Sequence, residues 1–368
     1  MKEELIQMNI PGMSISKTIE KLEMLYCAAI ENGTAFHSLP TPFFWGPAGI
    51  GKSEGVYSMA ESIADKTGKK VKVTDVRLLL FSPVDLRGVP VADNEKRFTN
   101  WLMPKIFDMD KSEDCINILF LDELSAAPQS VQAAAYQICL DRRIGEFQLP
   151  ENCIVIAAGN RTTDQSVSYK MPKALCNRLM HFNIKSDYEA WREWAIEHGV
   201  SDKVIAYLGF DNSRLCVEPE SSDLAYSSPR SWAFVSTLLN CTGNDPSAIH
   251  EMIAACVGND NAVEFEAFCR GYANMPCVED IMAGRCVDLP KTHDVMYALV
   301  SSLVAAIRDR GDELTLEQLD NICTYVLRFP KDFCMAFMRD INCLPDMNLK
   351  LMKCQGFQKW LLKNKRFV

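Results

Sequence analysis

The chain has 368 residues, enough for two domains, and its 48% hydrophobic and 24% charged content is that of an ordinary globular protein. A formal net charge of -9 argues against a surface built mainly to hold nucleic acid. No apolar run approaches the roughly 18 residues that span a bilayer, and the N-terminus lacks the apolar core of a signal peptide. The fifteen cysteines include no C-x-x-C pair, so we expect reduced thiols. Together with the missing export signal and apolar run, this predicts a cytoplasmic protein without membrane contact.

The first half of the chain alternates helical and strand patterns. Apolar spacing predicts helices over 14–31, 53–65 and 128–140, and buried strands over 41–45, 70–80, 115–121, 153–158 and 180–184. Such alternation predicts a doubly wound parallel sheet of the α/β class. Residues 81–104 read as an insertion that contains a hairpin, and 143–149 as a smaller hairpin. Beyond residue 187 the pattern is helical, so we predict domains at 1–186 and 187–368.

A glycine-rich turn follows the first of these strands. It fits the pattern G-x-x-x-x-G-K-[ST], formed here by Gly46, Pro47, Ala48, Gly49, Ile50, Gly51, Lys52 and Ser53. The glycines let the backbone approach a phosphate closely, and the following helix turns its positive end toward the anion. Lys52 supplies a point charge for the outer phosphates, and the Ser53 hydroxyl is a hard ligand suited to Mg²⁺. This segment predicts a nucleoside triphosphate site.

Two adjacent carboxylates, Asp122 and Glu123, end the apolar strand over 115–121. Ligands bind at the carboxyl ends of strands in open α/β sheets. We predict that Asp122 holds Mg²⁺ through water alongside Ser53 and that Glu123 polarises the attacking water. Taken alone, such a pair is more often a turn or a helix cap.

Three further polar residues are candidates for the same site. Asn160 follows the strand over 153–158, which we expect to lie between the phosphate-loop strand and the acidic strand. Asn160 would then reach the γ-phosphate or the water, the alternative being a turn residue. Arg178 could neutralise charge on the transferred phosphoryl group from a neighbouring subunit, and Arg230 could act from the second domain. Each arginine could instead be a solvated helix-end residue.

With these elements in this order, the chain resembles the AAA+ ATPases, and specifically the MoxR type. The resemblance rests on GPAGIGKS, LFLDE, AAGN, MPKALCNR and SPRSW, and on the insertion DLRGVP…WLMP. The stretch with Tyr188, Trp191 and Trp194 is similar to MoxR-like proteins encoded beside von Willebrand A-domain partners. The resemblance covers most of the chain, although roughly the last hundred residues match loosely.

The resemblance implies an AAA+ sheet domain followed by an all-α lid and a C-terminal helical region. It makes Lys52 and Ser53 the Walker A pair and Asp122 and Glu123 the Walker B pair. Asn160 becomes sensor 1, Arg178 the arginine finger and Arg230 sensor 2. Many MoxR proteins carry Asp before the finger arginine where Asn177 stands here, so Arg161 and Arg143 remain alternatives for that role.

The resemblance also implies a ring, with six subunits expected, that binds ATP and Mg²⁺ at subunit interfaces. We expect ATP hydrolysis to drive remodelling or maturation of a protein partner, with a von Willebrand A-domain protein as one candidate. A nucleic-acid motor or loader is an alternative that the acidic charge disfavours. A nucleotide-binding switch without appreciable hydrolysis is a second alternative, which the intact acidic pair disfavours.

Overall fold

The chain divides into two compact units, Met1–Ser186 and Asp187–Val368. The structure is a computed structural model that describes residues 10–161, 171, 173–220, 223–271, 275–285, 288–344 and 347–363. Pro172, which belongs to the MPKALCNR segment, and the first nine residues, which bear on the signal-peptide prediction, lie outside the described residues.

The first unit is built on a parallel sheet. Within the described residues this sheet has six strands: Gly12–Met13 (β1), Thr41–Trp45 (β2), Lys70–Arg77 (β3), Cys115–Asp122 (β6), Cys153–Gly159 (β9) and Leu179–Ile184 (β10). They pair in the order β1-β10-β2-β9-β6-β3, and every pair is parallel. The predicted place of β9 between the phosphate-loop strand and the acidic strand is confirmed.

Helices and two hairpins complete this unit. The helices are Ile15–Glu31 (α1), Lys52–Thr67 (α2), Pro83–Arg87 (α3), Gln129–Asp141 (α4) and Lys173–Cys176 (α5). The hairpins pair Val89–Ala92 (β4) with Thr99–Leu102 (β5), and Arg143–Ile144 (β7) with Phe147–Gln148 (β8). Both lie where the sequence predicts them.

Two details differ from the prediction. Strand β3 stops at Arg77 instead of residue 80, because Leu78–Leu80 form a 3₁₀ turn in which Leu78 is buried and its two neighbours are exposed. Three consecutive leucines show no alternation from which a strand end could be located. Strand β1 was not predicted, since two residues carry no periodicity.

The central strands are buried on both faces, which explains their unbroken apolar runs. In β6, Ile118 and Phe120 pack with the core beneath α1 and α2, whereas Leu119 and Leu121 pack with the core beneath α4. Alternate side chains of one strand thus serve two layers. The carboxyl edge of this buried sheet carries polar residues, among them Asp122 and Asn160.

The second unit is helical throughout its described elements and has its own core, in which Tyr207, Trp232 and Phe265 pack ring against ring. Its helices are Tyr188–Glu197 (α6), Asp202–Phe210 (α7), Pro229–Cys241 (α8), His250–Val257 (α9), Asn259–Arg270 (α10), Val278–Met282 (α11), His293–Arg310 (α12), Leu316–Val326 (α13), Lys331–Asn342 (α14), Met347–Leu351 (α15) and Gln355–Lys363 (α16).

The apolar helices of the described residues are too short or too charged for a bilayer, and none meets the requirements of a membrane span. The fourteen cysteines that the structure describes are all free thiols. Burial raises the pKa of several of them, with those of Cys139 and Cys153 reaching about 12. These two behave as small apolar core residues.

Candidate nucleotide site

The phosphate loop connects the end of β2 to the start of α2. Trp45 is the last residue of the strand and Lys52 the first of the helix. Gly49 and Gly51 have φ angles of 77° and 94°, values at which a side chain would be strained. The Gly46 N–H donates to the carbonyl of Gly159 on the neighbouring strand at 3.2 Å. The loop is therefore fastened to the sheet at its beginning and to a helix N-terminus at its end, as an anion cradle requires.

Lys52 points back into this loop. Its side chain is almost buried, and Nζ donates to the carbonyls of Gly46 at 2.5 Å and Pro47 at 3.0 Å. Nζ also donates to Oδ1 of Asn160 at 3.2 Å. The ammonium and the amide predicted to contact the outer phosphates thus lie side by side, although 108 residues separate them in the chain.

Ser53 and Asp122 meet at the same edge of the sheet. The Ser53 hydroxyl donates to Oδ2 of Asp122 at 3.2 Å, and Oδ1 of Asp122 accepts from the Glu123 N–H at 2.8 Å. Among the described residues no group of three or more His, Cys, Asp or Glu could hold a metal ion by itself. Hydroxyl and carboxylate oxygens still fit Mg²⁺, which is commonly held by one or two protein oxygens together with phosphate and water oxygens.

Glu123 has an unusual backbone. Its φ of 58° is left-handed, a conformation that is uncommon outside glycine, asparagine and aspartate. Its carbonyl accepts from the N–H groups of Ala126 and Ala127 at 3.0 and 3.2 Å, which hold the turn after β6 in place. Backbone strain of this kind concentrates at functional sites. Because of this backbone conformation, the Glu123 side chain does not follow the alternating direction of side chains along β6.

Ser125 is a site residue that sequence reasoning missed. It is buried, and its hydroxyl accepts from the Asn160 N–H at 2.8 Å and donates to the Asn160 carbonyl at 3.0 Å. A Cβ on the preceding Gly159 would lie 2.7 Å from this hydroxyl and 3.1 Å from Phe43. Ser125 therefore fixes the Asn160 backbone against the acidic turn, and the close packing requires glycine at 159.

Asp75 on β3 is a second residue that the sequence did not single out. Burial and the nearby charge of Asp122 raise the pKa of its carboxyl, against the lowering effect of Arg77. Its Oδ1 is buried and has no hydrogen-bond partner among the described residues. In the strand register Arg77 lies opposite Asp122. Asp75 adds a carboxyl group near Asp122. The alternation of side chains along β3 gave no sign of this in the sequence.

The candidate arginines lie in different settings. Arg178 is exposed in the turn between α5 and β10. Arg161 donates to the backbone carbonyls of Trp45, at 3.4 Å, and Ile184 in its own sheet. Arg143 is exposed on the small hairpin and donates to the Glu146 carbonyl at 3.3 Å. Arg230 is exposed in the first turn of α8 in the second unit. Of the three candidate arginines in the first unit, Arg178 and Arg143 are exposed, whereas Arg161 bonds carbonyls of its own sheet.

Residues 42–185 match the model of the ATPase family associated with various cellular activities (AAA). This segment is similar to an AAA ATPase domain. It contains the whole phosphate loop, the acidic turn and Asn160, and its parallel sheet with flanking helices is that of the AAA+ fold. No curated protein matches the chain.

Solved structures similar to the chain are distant. A proposed ATPase from Cytophaga hutchinsonii is 18% identical with a TM-score of 0.34, and the match covers 50% of this chain and 52% of that one. This chain thus spans about half the length of that protein. A point mutant of Thermotoga maritima RuvB is 15% identical with a TM-score of 0.34, covering 84% of this chain and 92% of RuvB. C. elegans PCH-2 is 14% identical with a TM-score of 0.35, covering 70% of this chain and 69% of that one.

Proposed function

We propose that the protein is a Mg²⁺-dependent, ring-forming ATPase of the MoxR type that uses hydrolysis to remodel a protein partner. The observation that carries the ATPase chemistry is the hydrogen bond between Ser53 and Asp122, beside the pair formed by Lys52 and Asn160. This arrangement supports a single site for one ligand. The Lys52 ammonium would face the phosphates, and the oxygens of Ser53 and Asp122 would face the metal ion. The MoxR type is supported by the hairpin β4–β5, which lies within the insertion at 81–104.

The residues divide the chemistry among them. Lys52 and the loop N–H groups bind the phosphates, and Ser53 and Asp122 would hold Mg²⁺, which neutralises charge on the phosphate oxygens. Glu123 takes the role of orienting and polarising the attacking water, next to the metal ligand. Asn160 hydrogen-bonds the γ-phosphate or this water from the neighbouring strand. Catalysis in such a site is mainly positioning and electrostatic stabilisation, so these fixed hydrogen bonds are what the reaction needs.

Arg178 is the residue we assign as the finger supplied to the next subunit. Its exposure in a turn supports this choice, whereas Arg161 already bonds two carbonyls of its own sheet. Arg143 shares the exposure but belongs to the small hairpin. Arg230 is proposed to contact the phosphates when the helical unit closes on the nucleotide. A finger in trans requires an oligomer, and a hexameric ring is the assembly we propose.

The site assignment is tested by Glu123→Gln, which keeps the size of the side chain and removes its charge. The variant should bind ATP as the native protein does and hydrolyse it at least about 100-fold more slowly, a loss typical of a missing general base. Glu61→Gln, on the exposed face of α2, is the matched control and should change neither quantity. Unchanged hydrolysis by Glu123→Gln would contradict the assignment.

The ring and the partner are tested with the same variant. In the presence of ATP and Mg²⁺, Glu123→Gln should sediment as a closed oligomer, and mass photometry should give its subunit number. Lys52→Ala, which lacks the phosphate charge, should remain smaller under the same conditions. A cytoplasmic protein partner, such as one with a von Willebrand A domain, should bind the ATP-loaded oligomer and dissociate from the native protein on hydrolysis. A monomer under both conditions would contradict the ring.

A further inference from the structure

Two hydrogen bonds connect the strand before the phosphate loop to the turn that carries Arg178. The indole N–H of Trp45 donates to Nδ1 of His181 at 2.9 Å. The other ring nitrogen, Nε2, lies 2.7 Å from the carbonyl oxygen of Cys176. Trp45 directly precedes Gly46, and Cys176 lies two residues before Arg178. The imidazole of His181 therefore bridges two segments that the site depends on.

The partners determine the protonation of His181. An indole N–H can only donate and a carbonyl oxygen can only accept, so Nδ1 must be unprotonated and Nε2 must carry the hydrogen. One neutral tautomer satisfies both neighbours at once. Neither the doubly protonated ring nor the other tautomer could accept the Trp45 bond.

The surrounding packing holds this ring in place. His181 lies opposite Phe43 in the register of β10 and β2, so both side chains and that of Trp45 share one face of the sheet. The rings of Phe43 and Trp45 are 4.3 Å apart, and Trp45 stacks on His181 at 6.1 Å with an interplanar angle of 29°. Phe43 is completely buried. The bridge consequently rests on the rigid centre of the sheet.

The Cys176 carbonyl is the C-terminal end of α5, a helix of only four residues. Such a short helix has little internal hydrogen bonding to hold it, and the last carbonyls of any helix need outside donors. His181 supplies one such donor. The turn that follows, which contains Asn177 and Arg178, thereby starts from a point that is attached to the phosphate-loop strand.

We infer that His181 is a positioning residue for Arg178, and that the bridge from Trp45 through His181 to Cys176 holds the arginine turn in a fixed relation to the phosphate loop. This inference rests on the role proposed for Arg178. In a ring, the arginine that a subunit offers to its neighbour is then mechanically tied to that subunit's own nucleotide loop.

The bridge is tested by steady-state ATP hydrolysis of the assembled protein. His181→Phe removes both hydrogen bonds and keeps an aromatic ring, whereas Trp45→Phe removes only the indole N–H. Each should lower kcat by roughly tenfold, the effect of about one hydrogen bond, and leave KM and ATP binding within about twofold. His181→Gln, which can still accept and donate, should recover most of the loss. Thermal unfolding identifies any variant that fails to fold, and Trp45→Phe then carries the test.

A double variant separates positioning from general structural damage. If His181 acts through Arg178, His181→Phe should cost nothing further in an Arg178→Ala background, although it lowers kcat about tenfold in the native one. An unchanged tenfold loss in that background would overturn the inference, as would full kcat in both single variants. Full turnover in Arg178→Ala would overturn the proposed role of Arg178 and this inference with it. Impaired Arg178→Ala with unaffected bridge variants would overturn the inference alone.

Discussion

The hydroxyl of Ser53 lies 3.2 Å from Oδ2 of Asp122, although 69 residues separate the two in the chain. This contact joins the helix that follows the phosphate loop to the end of the acidic strand. It brings together the two protein oxygens that we assign to Mg²⁺. The remaining residues of the site are arranged around it.

The first prediction concerns the metal. Ser53→Ala should raise the Mg²⁺ concentration for half-maximal hydrolysis about tenfold, because one of the two protein oxygens near the metal is lost. Ser53→Thr keeps the hydroxyl and should behave as the native protein. Hydrolysis is measured over a magnesium titration at saturating ATP. An identical magnesium dependence for Ser53→Ala and the native protein would rule out Ser53 as a ligand.

The second prediction concerns Ser125. Ser125→Ala leaves the partly buried N–H and carbonyl of Asn160 without the hydroxyl, so Asn160 should lose its fixed position. We expect kcat to fall about tenfold with ATP affinity nearly unchanged, as measured by steady-state kinetics and nucleotide binding. Ser58→Ala on the exposed face of α2 is the control. A native kcat in Ser125→Ala would show that Asn160 is held by other contacts.

The third prediction concerns Arg178, which we propose acts between subunits. Arg178→Ala should lower hydrolysis by about 10³-fold or more, the usual value of an arginine finger. Mixing Arg178→Ala with Glu123→Gln, which is expected to assemble, should restore part of the activity, because some interfaces then combine an intact Glu123 site with an intact Arg178. Arg161→Ala should show no such recovery, since Arg161 bonds carbonyls of its own sheet. Recovery with Arg161→Ala, and none with Arg178→Ala, would exchange the two roles.

The fourth prediction concerns a buried ion pair of the second unit. Arg192 on α6 donates to Asp340 on α14, and both side chains are almost completely buried. Burial raises the pKa of Asp340 to about 6, against the lowering effects of Arg192 and Arg339. The carboxyl is therefore ionised at neutral pH and takes up a proton on mild acidification.

A pKa that is higher in the folded state than in the unfolded chain stabilises the fold at low pH. The contribution of Asp340 should be complete below about pH 4 and lost as the pH rises through 6. The free energy of unfolding, measured with denaturant from pH 4 to 7, should fall with rising pH more steeply in the native protein than in Asp340→Asn. Asp332→Asn, exposed on the same helix, should keep the slope; equal slopes for the native protein and Asp340→Asn would contradict the prediction.

Much of the site could be predicted because its signals are local. The phosphate loop needs its glycines, lysine and serine within a few neighbouring residues, and Asp122 and Glu123 are adjacent. The apolar runs around them predict the strands, since buried parallel strands need apolar side chains on both faces. The position of β9 between β2 and β6 followed from the regularity of doubly wound sheets.

Other parts of the site gave no local signal. Ser125 is one of many serines, and its role depends on Asn160, 35 residues further along the chain. His181 bonds Trp45 across 136 residues, and neither residue belongs to a recognisable motif. The left-handed backbone of Glu123 arises from the turn that contacts β9, which no propensity of glutamate would predict.

The sequence by itself determined the class of fold and predicts the chemical groups of the candidate nucleotide site, because both depend on residue types at short, fixed spacings. The tertiary structure alone decided how those groups are held: Ser125 against Asn160, Lys52 against Asn160, and His181 between Trp45 and the arginine turn. The contacts of Asn160 with Lys52 and Ser125, and that of Trp45 with His181, join segments at neighbouring strands of the sheet that are distant in the chain. Only strand order and register bring them within hydrogen-bonding distance.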